Sequence, residues 1–136
     1  MKLLMFHAPA FWYRTYERVL EGVPDEEREE SVENATVVFY HVEAGDVERR
    51  ASVLSKMVKN VKWISGKFRT RTVVLHSFNH LAATKAHPVF TRTLIHEVRQ
   101  RLERTGYTVS ETPFGYQNEW KLHVAGPSLA KVFKEI

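Results

Sequence analysis

Residues 35–42 read A-T-V-V-F-Y-H-V, a run of β-branched and aromatic side chains between Asn34 and Gly45 that predicts a strand. Downstream, Asp46 suits a helix N-cap, and Val47, Ala51, Leu54, Val58 and Val61 follow at the spacing of one helical face. That helix must pack on a sheet. Thr72–His76 (T-V-V-L-H) is nearly all apolar and reads as a central strand. His87-Pro88 opens a second helix with the inner stripe Phe90, Leu94, Val98 and Leu102, and Gly106 supplies its stop. Upstream, Lys2–His7 (K-L-L-M-F-H) is a short apolar run ended by Pro9, and Ala10–Leu20 reads as a second strand. Gly22–Asn34 reads as a solvated connection. Tyr107–Ser110 and Asn118–Val124 read as strands, with Trp120, Leu122 and Val124 on one side and Lys121 and His123 on the other. Ser128 caps a short last helix to Glu135. The order β-β-β-α-β-α-β-β-α predicts an α/β or α+β fold, a mixed sheet covered by helices. A length of 136 residues predicts one domain, 1–136.

Composition removes several classes of chemistry. Zero cysteines exclude a disulfide scaffold, a thiolate zinc site and a cysteine nucleophile. No apolar run approaches the ~20 residues of a membrane-spanning helix, and Met1–His7 is too short for a signal peptide, so a soluble, cytoplasmic chain without membrane partners is expected. The net charge is +4, yet Asp25–Glu33 holds six acids and one base, which leaves the rest of the chain at +9. A basic body attracts polyanions, RNA or DNA first among them, although the same charge also serves a merely well-solvated surface.

Histidine is the one abundant catalytic residue type, with seven copies. His7, His41 and His76 fall at or near predicted strand ends, where open sheets collect their sites, and His80 follows four residues after His76. Clustered imidazoles would suit zinc, but the chain has two aspartates and no H-E-x-x-H spacing, so no metal is expected. Two loops stand out. His76–Pro88 (H-S-F-N-H-L-A-A-T-K-A-H-P) is long for a small domain, and loops of that length are commonly functional. Thr112–Asn118 (T-P-F-G-Y-Q-N) offers Phe114 and Tyr116 as flat faces for a base, or simply as aromatics closing the core. No Walker loop, dinucleotide fingerprint, nucleophile elbow or paired-carboxylate signature is present.

Several stretches together resemble the editing domain at the N-terminus of archaeal threonyl-tRNA synthetases: K-L-L-M-F-H from Lys2, V-V-F-Y-H-V-E from Val37, S-F-N-H-L-A from Ser77, and T-P-F-G-Y from Thr112 with W-K-L-H-V-A-G after it. The likeness runs over nearly the whole chain. It implies a fold like that of D-aminoacyl-tRNA deacylases, a homodimer without cofactors, and hydrolysis of serine wrongly esterified to threonine tRNA. By resemblance, the serine pocket is made largely by main-chain groups of His41, Val42, Glu43 and Ala44, facing Phe78, Asn79 and His80. The terminal adenosine would rest against Phe114, Gly115, Tyr116 and Gln117. The resemblance assigns proton handling to the tRNA 2′-hydroxyl and a bound water, which leaves His80 to orient the substrate.

Two departures bear on catalysis. The family commonly continues Phe-Gly-Tyr with a tyrosine and a lysine, where this chain has Gln117 and Asn118, and it has an acid where Lys131 stands. Either Lys131, or a water held by Asn118, stabilises the developing oxyanion, or activity is weakened. RNA contact is expected on a face bearing Lys85, His87, Lys121 and Lys131. The competing readings are a D-aminoacyl-tRNA deacylase, a noncatalytic RNA-binding module and a metal-dependent hydrolase built on the histidines. Further synthetase domains are expected as partners.

Overall fold

The computed structural model describes residues 1–136. A six-stranded sheet is built around one long strand, β1 (Lys2–Arg18). Antiparallel to it runs β2 (Glu29–His41), paired along almost its whole length from Lys2 opposite His41 to Arg14 opposite Glu29. After a short 3₁₀ turn (Ala44–Val47) come helix α1 (Arg50–Lys67), β3 (Thr72–Ser77), α2 (Pro88–Arg104) and β4 (Thr108–Glu111). Strands β2, β3 and β4 are mutually parallel, as the helical crossovers between them require. The other edge of β1 is shared: β5 (Tyr116–His123) pairs with Ala10–Arg18, and β6 (Lys131–Glu135) pairs with Lys2–Phe6.

Four expectations need correction. The two N-terminal strands are one, because Pro9 falls in the gap between β5, which ends opposite Ala10, and β6, which begins opposite Phe6. On that side no ladder asks proline for its missing N–H. The connection Gly22–Asn34 becomes strand from Glu29 onward, and several of its acids are partnered while Glu27 and Glu33 stay exposed: Arg28 lies 3.4 Å from Glu26 and 3.6 Å from Glu30, and Trp12 Nε1 donates to Glu29 at 2.8 Å. Asp46 does not cap α1. It is buried, accepts from the Glu43 backbone N–H at 2.7 Å and pairs with the Met1 ammonium at 2.9 Å. The inner stripe of α1 is accordingly Val53, Leu54, Met57, Val58, Val61 and Ile64, while Val47 and Ala51 face out. The last predicted helix is β6, preceded by a 3₁₀ turn at Ser128–Ala130. The stripe of α2 holds, with Leu94, Val98 and Leu102 buried and Phe90 half-buried.

Both helices cover one sheet face, where Leu3, Met5, Val38, Tyr40, Val73 and Leu75 meet the helix stripes. The opposite face carries Ala8, Phe11, Tyr13, Ala35, Val37, Phe39 and Val74. Alternation along β1 changes phase between Ala8 and Phe11, opposite Asn34, whose φ of 50° is one that asparagine tolerates better than most residues. That kink keeps Phe11 and Tyr13 on the side of Phe39 and curls β5 over it, so that the Trp120 ring meets Phe39 edge-on at 5.2 Å. Tyr13 is therefore buried, and of the aromatics Trp12, Tyr13 and Tyr16 only Tyr16 stands fully open. No helix is long and apolar enough to cross a membrane.

Candidate active site

At the carboxyl ends of the parallel strands, the two loops singled out by sequence converge on a cleft of about 620 Å³. Its walls are Ser77–His80 after β3, Lys85, Ala86, Pro88 and Thr91 at the entry to α2, Thr112–Gly115 after β4, and Tyr116, Gln117, Asn118 and Trp120 of β5. Of the sequence-predicted residues it gathers Phe78, Asn79, His80, Lys85, Phe114, Gly115, Tyr116, Gln117 and Asn118.

His41, Val42, Glu43 and Ala44 lie behind this cleft, fastening the long loop to the end of β2. The Leu81 N–H donates to His41 Nδ1 at 3.1 Å, so Nε2 carries the proton and donates to the Thr84 carbonyl at 2.6 Å. The Ala86 N–H donates to the Val42 carbonyl at 2.9 Å, and the Ala44 N–H to Thr84 Oγ1 at 3.3 Å. Glu43 lies 2.9 Å from the Met1 ammonium and 3.1 Å from Lys2 Nζ. Burial raises its pKa, but those two hydrogen bonds and charges outweigh burial and hold the carboxyl below its usual range. Before His80 the Phe78 N–H donates to the Tyr40 carbonyl at 2.9 Å, so the loop is held on both sides of His80.

The glycine and tyrosine of the second loop also brace it against the chain after β1. Gly115 has φ +81° and its carbonyl accepts from the Val19 and Leu20 N–H groups at 2.8 and 3.1 Å. The Tyr116 hydroxyl donates to the Pro24 carbonyl at 2.7 Å and accepts from the Glu26 N–H at 2.8 Å. Phe114 carries the Arg92 guanidinium 5.7 Å from its centroid. Asn118 donates weakly to the Pro113 carbonyl at 3.5 Å, and its buried Oδ1 has no donor within the protein.

Three other expected residues fall outside the cleft. Lys121 faces the opposite side of β5 from Trp120, with Nζ 5.1 Å from the Trp12 ring. His87 caps α2, accepting from the Val89 N–H at 3.2 Å. Lys131 pairs opposite Phe6 on β1 while Asn118 pairs opposite Thr15, a separation of about 30 Å along the strand, and Lys131 Nζ is spent on the Ala125, Gly126 and Pro127 carbonyls at 3.0, 3.1 and 3.4 Å.

Sequence reasoning passed over Trp120 and weighed His76 only as a metal ligand or a strand-end histidine. No three His, Asp or Glu side chains come together as a ligand set. His7 stands in the middle of β1, stacked on Phe68 at 4.3 Å. His76 lines the cleft, with Nδ1 2.9 Å from Thr112 Oγ1 and its ring 4.7 Å from Phe39 and 6.2 Å from Trp120. Burial pushes its pKa down to about 4. The folded state therefore resists protonating His76, so its stability contribution is full above pH 6.5 and is lost as pH falls toward 4, about 3 kcal/mol in all. Urea titrations of wild type and His76→Phe should show this acid limb only in the wild type; equal slopes between pH 7 and 4 would mean the ring is already protonated or open to water.

Over residues 1–136 the chain matches the archaea-specific editing domain of threonyl-tRNA synthetase. It is 27% identical over 139 residues to the threonine–tRNA ligase of Thermococcus onnurineus, covering all of this chain and 22% of that enzyme. It is 31% identical over 140 residues to the ligase of Staphylothermus marinus, again with all of this chain and 22% of the enzyme covered. The chain thus spans about a fifth of the length of these relatives. Among solved structures, the c-Myc DNA unwinding element binding protein superposes with a TM-score of 0.66 at 11% identity, covering 100% of this chain and 99% of that one, which concerns the fold alone. The chain has the expected D-aminoacyl-tRNA deacylase-like fold.

Proposed function

Since the chain belongs to the family of archaea-specific editing domains of threonyl-tRNA synthetase, we propose that it hydrolyses the ester of L-serine wrongly attached to threonine tRNA. One observation carries the reading: the two loops that bear the family motifs, 77–80 and 112–118, meet in a single cleft lined with aromatic rings and polar side chains. Serine lacks one methyl of threonine, and a synthetic site separates them by only about 1–3 kcal/mol, so a second, smaller sieve is needed. Threonine is refused there by clash rather than by lost attraction.

In this cleft Phe78, Trp120 and Phe114 give the terminal adenosine faces to lie against, and Asn79 and His80 contact the aminoacyl group. The unfilled Asn118 Oδ1 is where an ordered water donates, leaving its lone pair to attack the ester carbonyl. As the water oxygen bonds to the carbonyl carbon, the vicinal 2′-hydroxyl relays the water's proton to the ribose 3′-oxygen; the carbonyl oxygen carries the charge until it collapses, the C–O bond to the ribose breaks, and serine leaves with the ribose hydroxyl restored. Lys131, tied to three carbonyls, has no part in the step within one protomer. A homodimer, a cytoplasmic location and attachment to the other synthetase domains belong to the same proposal. Sedimentation at tens of micromolar reads the first; a mass near that of one chain removes it.

Release of serine from seryl-tRNA(Thr), compared with threonyl and D-aminoacyl esters and repeated with a chelator, tests the activity. Seryl ester should be cleaved at least ~10-fold faster than threonyl, with no effect of chelation. Faster cleavage of D-aminoacyl esters would make the chain a D-aminoacyl-tRNA deacylase. Binding without any hydrolysis would make it an RNA-binding module.

A further inference from the structure

Beyond the Thr112–Phe114 wall of the cleft lies a second hollow of about 610 Å³, floored by α2. Arg92, His96 and Arg99 stand on one face of that helix, one turn apart. Their charges are not equivalent. Arg99 is held by Glu103 at 3.2 Å and Glu111 at 3.3 Å, and Arg28 on the facing wall is held by Glu26 and Glu30 and donates to the Glu111 carbonyl at 2.6 Å. An arginine already paired with carboxylates has little left to offer an anion. Arg92 is exposed, pairs with no carboxylate, and lies against the Phe114 ring. His96 is exposed one turn further on.

Phe114 belongs to both hollows, so the side of the cleft it forms leads directly to Arg92. A guanidinium that pairs with no carboxylate keeps its N–H fork available, and that fork matches a phosphate in a bidentate way that an ammonium does not. We infer that the α2 groove binds the sugar-phosphate backbone of the single-stranded 3′ end of an RNA, with Arg92 as the phosphate ligand and His96 as the next polar contact. The inference rests on the editing reading for what sits in the cleft. The two remain separable, because the groove is defined by phosphate and the cleft by the ester.

The test is binding of an uncharged RNA hairpin with a four-nucleotide single-stranded 3′ end, measured across a salt series, beside a blunt hairpin of the same stem and inorganic phosphate as competitor. Arg92→Ala should weaken binding of the overhang hairpin about tenfold and reduce the salt slope by ~0.7, the share of one phosphate contact on a single strand. Arg92→Glu should weaken it further. Arg92→Lys should recover the slope but only part of the affinity, as a point charge does in place of a fork. The exposed α1 variant Lys59→Ala should bind as wild type does, and the blunt hairpin should be indifferent to Arg92. Unchanged slopes in Arg92→Ala and Arg92→Glu overturn the proposal, as does an equal loss with the blunt hairpin, or complete competition by millimolar phosphate. Ester hydrolysis by the wild type, measured alongside, tells the two failures apart. Hydrolysis with no Arg92-dependent slope removes the groove and leaves the editing reading standing. An Arg92-dependent slope without hydrolysis does the reverse.

Discussion

Seryl-tRNA(Thr) ending in 2′-deoxyadenosine will be cleaved orders of magnitude more slowly than its ribose counterpart, whereas His80→Ala will lose no more than about tenfold. A positioned general base contributes typically about 10² to 10⁴ in rate, and positioning is what His80 lacks. Its ring is exposed and meets Phe78 edge-on at 4.9 Å, with no carboxylate or carbonyl bonded to either nitrogen. His76 is well fixed, but with a pKa pushed down to about 4 it is a weak proton acceptor at neutral pH. The substrate's own hydroxyl, delivered next to the scissile ester, needs no such scaffold. Single-turnover release of labelled serine from the two substrates, with wild type and His80→Ala, decides the matter. Normal cleavage of the deoxy substrate together with a dead His80 variant would make histidine the base.

Gly115→Ala will cost several kcal/mol and empty the cleft of activity. The residue sits at φ +81°, which costs an L side chain about 1–2 kcal/mol. The new Cβ would lie 2.9 Å from Leu20 Cβ and 3.0 and 3.2 Å from the Val23 methyls, and such overpacking adds typically about 1–3 kcal/mol. Gly22 is the control: its φ is +83° with nothing within 4 Å of the added carbon, so Gly22→Ala carries the backbone cost alone. In urea the Gly115 variant should melt well below the Gly22 variant, by about 1 M for the slopes usual in small proteins. Coincident midpoints would mean that Leu20 and Val23 step aside.

What could be read from the chain follows from which forces are local. The strands at Ala35 and Thr72, the α2 stripe and the Gly106 stop are written in periodicity and propensity, and both functional loops show themselves by length and punctuation. Residues 29–34 and 131–135 look like a charged connection and a capped helix because neither segment buries enough on its own. They become strands only by pairing with β1. Within the site, Phe78, His80 and the Thr112–Asn118 loop were legible. Trp120 was hidden because its reading as an inward strand residue is equally true, the curl of β5 being what turns that inward face into a cleft wall. Arg92 was hidden because the sequence does not show which arginines find carboxylates: Arg28 and Arg99 have acids nearby in the chain that do pair with them, and Glu111 reaches Arg99 only through the fold, while Arg92 pairs with none.

The double partnership of β1 sets a timetable for folding. Its first five paired residues meet β6 about 130 positions away, and its latter half meets β5 about 105 away, so both pairings close long loops and are slow to form. Only the β1–β2 ribbon is local at its turn, across residues 15–28. A chain emerging from the ribosome therefore holds the Lys2–Phe6 part of its first strand with one edge bare until residues 131–135 are made, and during that interval the edge is open to any other strand. Pulse-labelled amide exchange on refolding chains should find the β1–β2 amides protected first, with Lys131–Glu135 acquiring protection last.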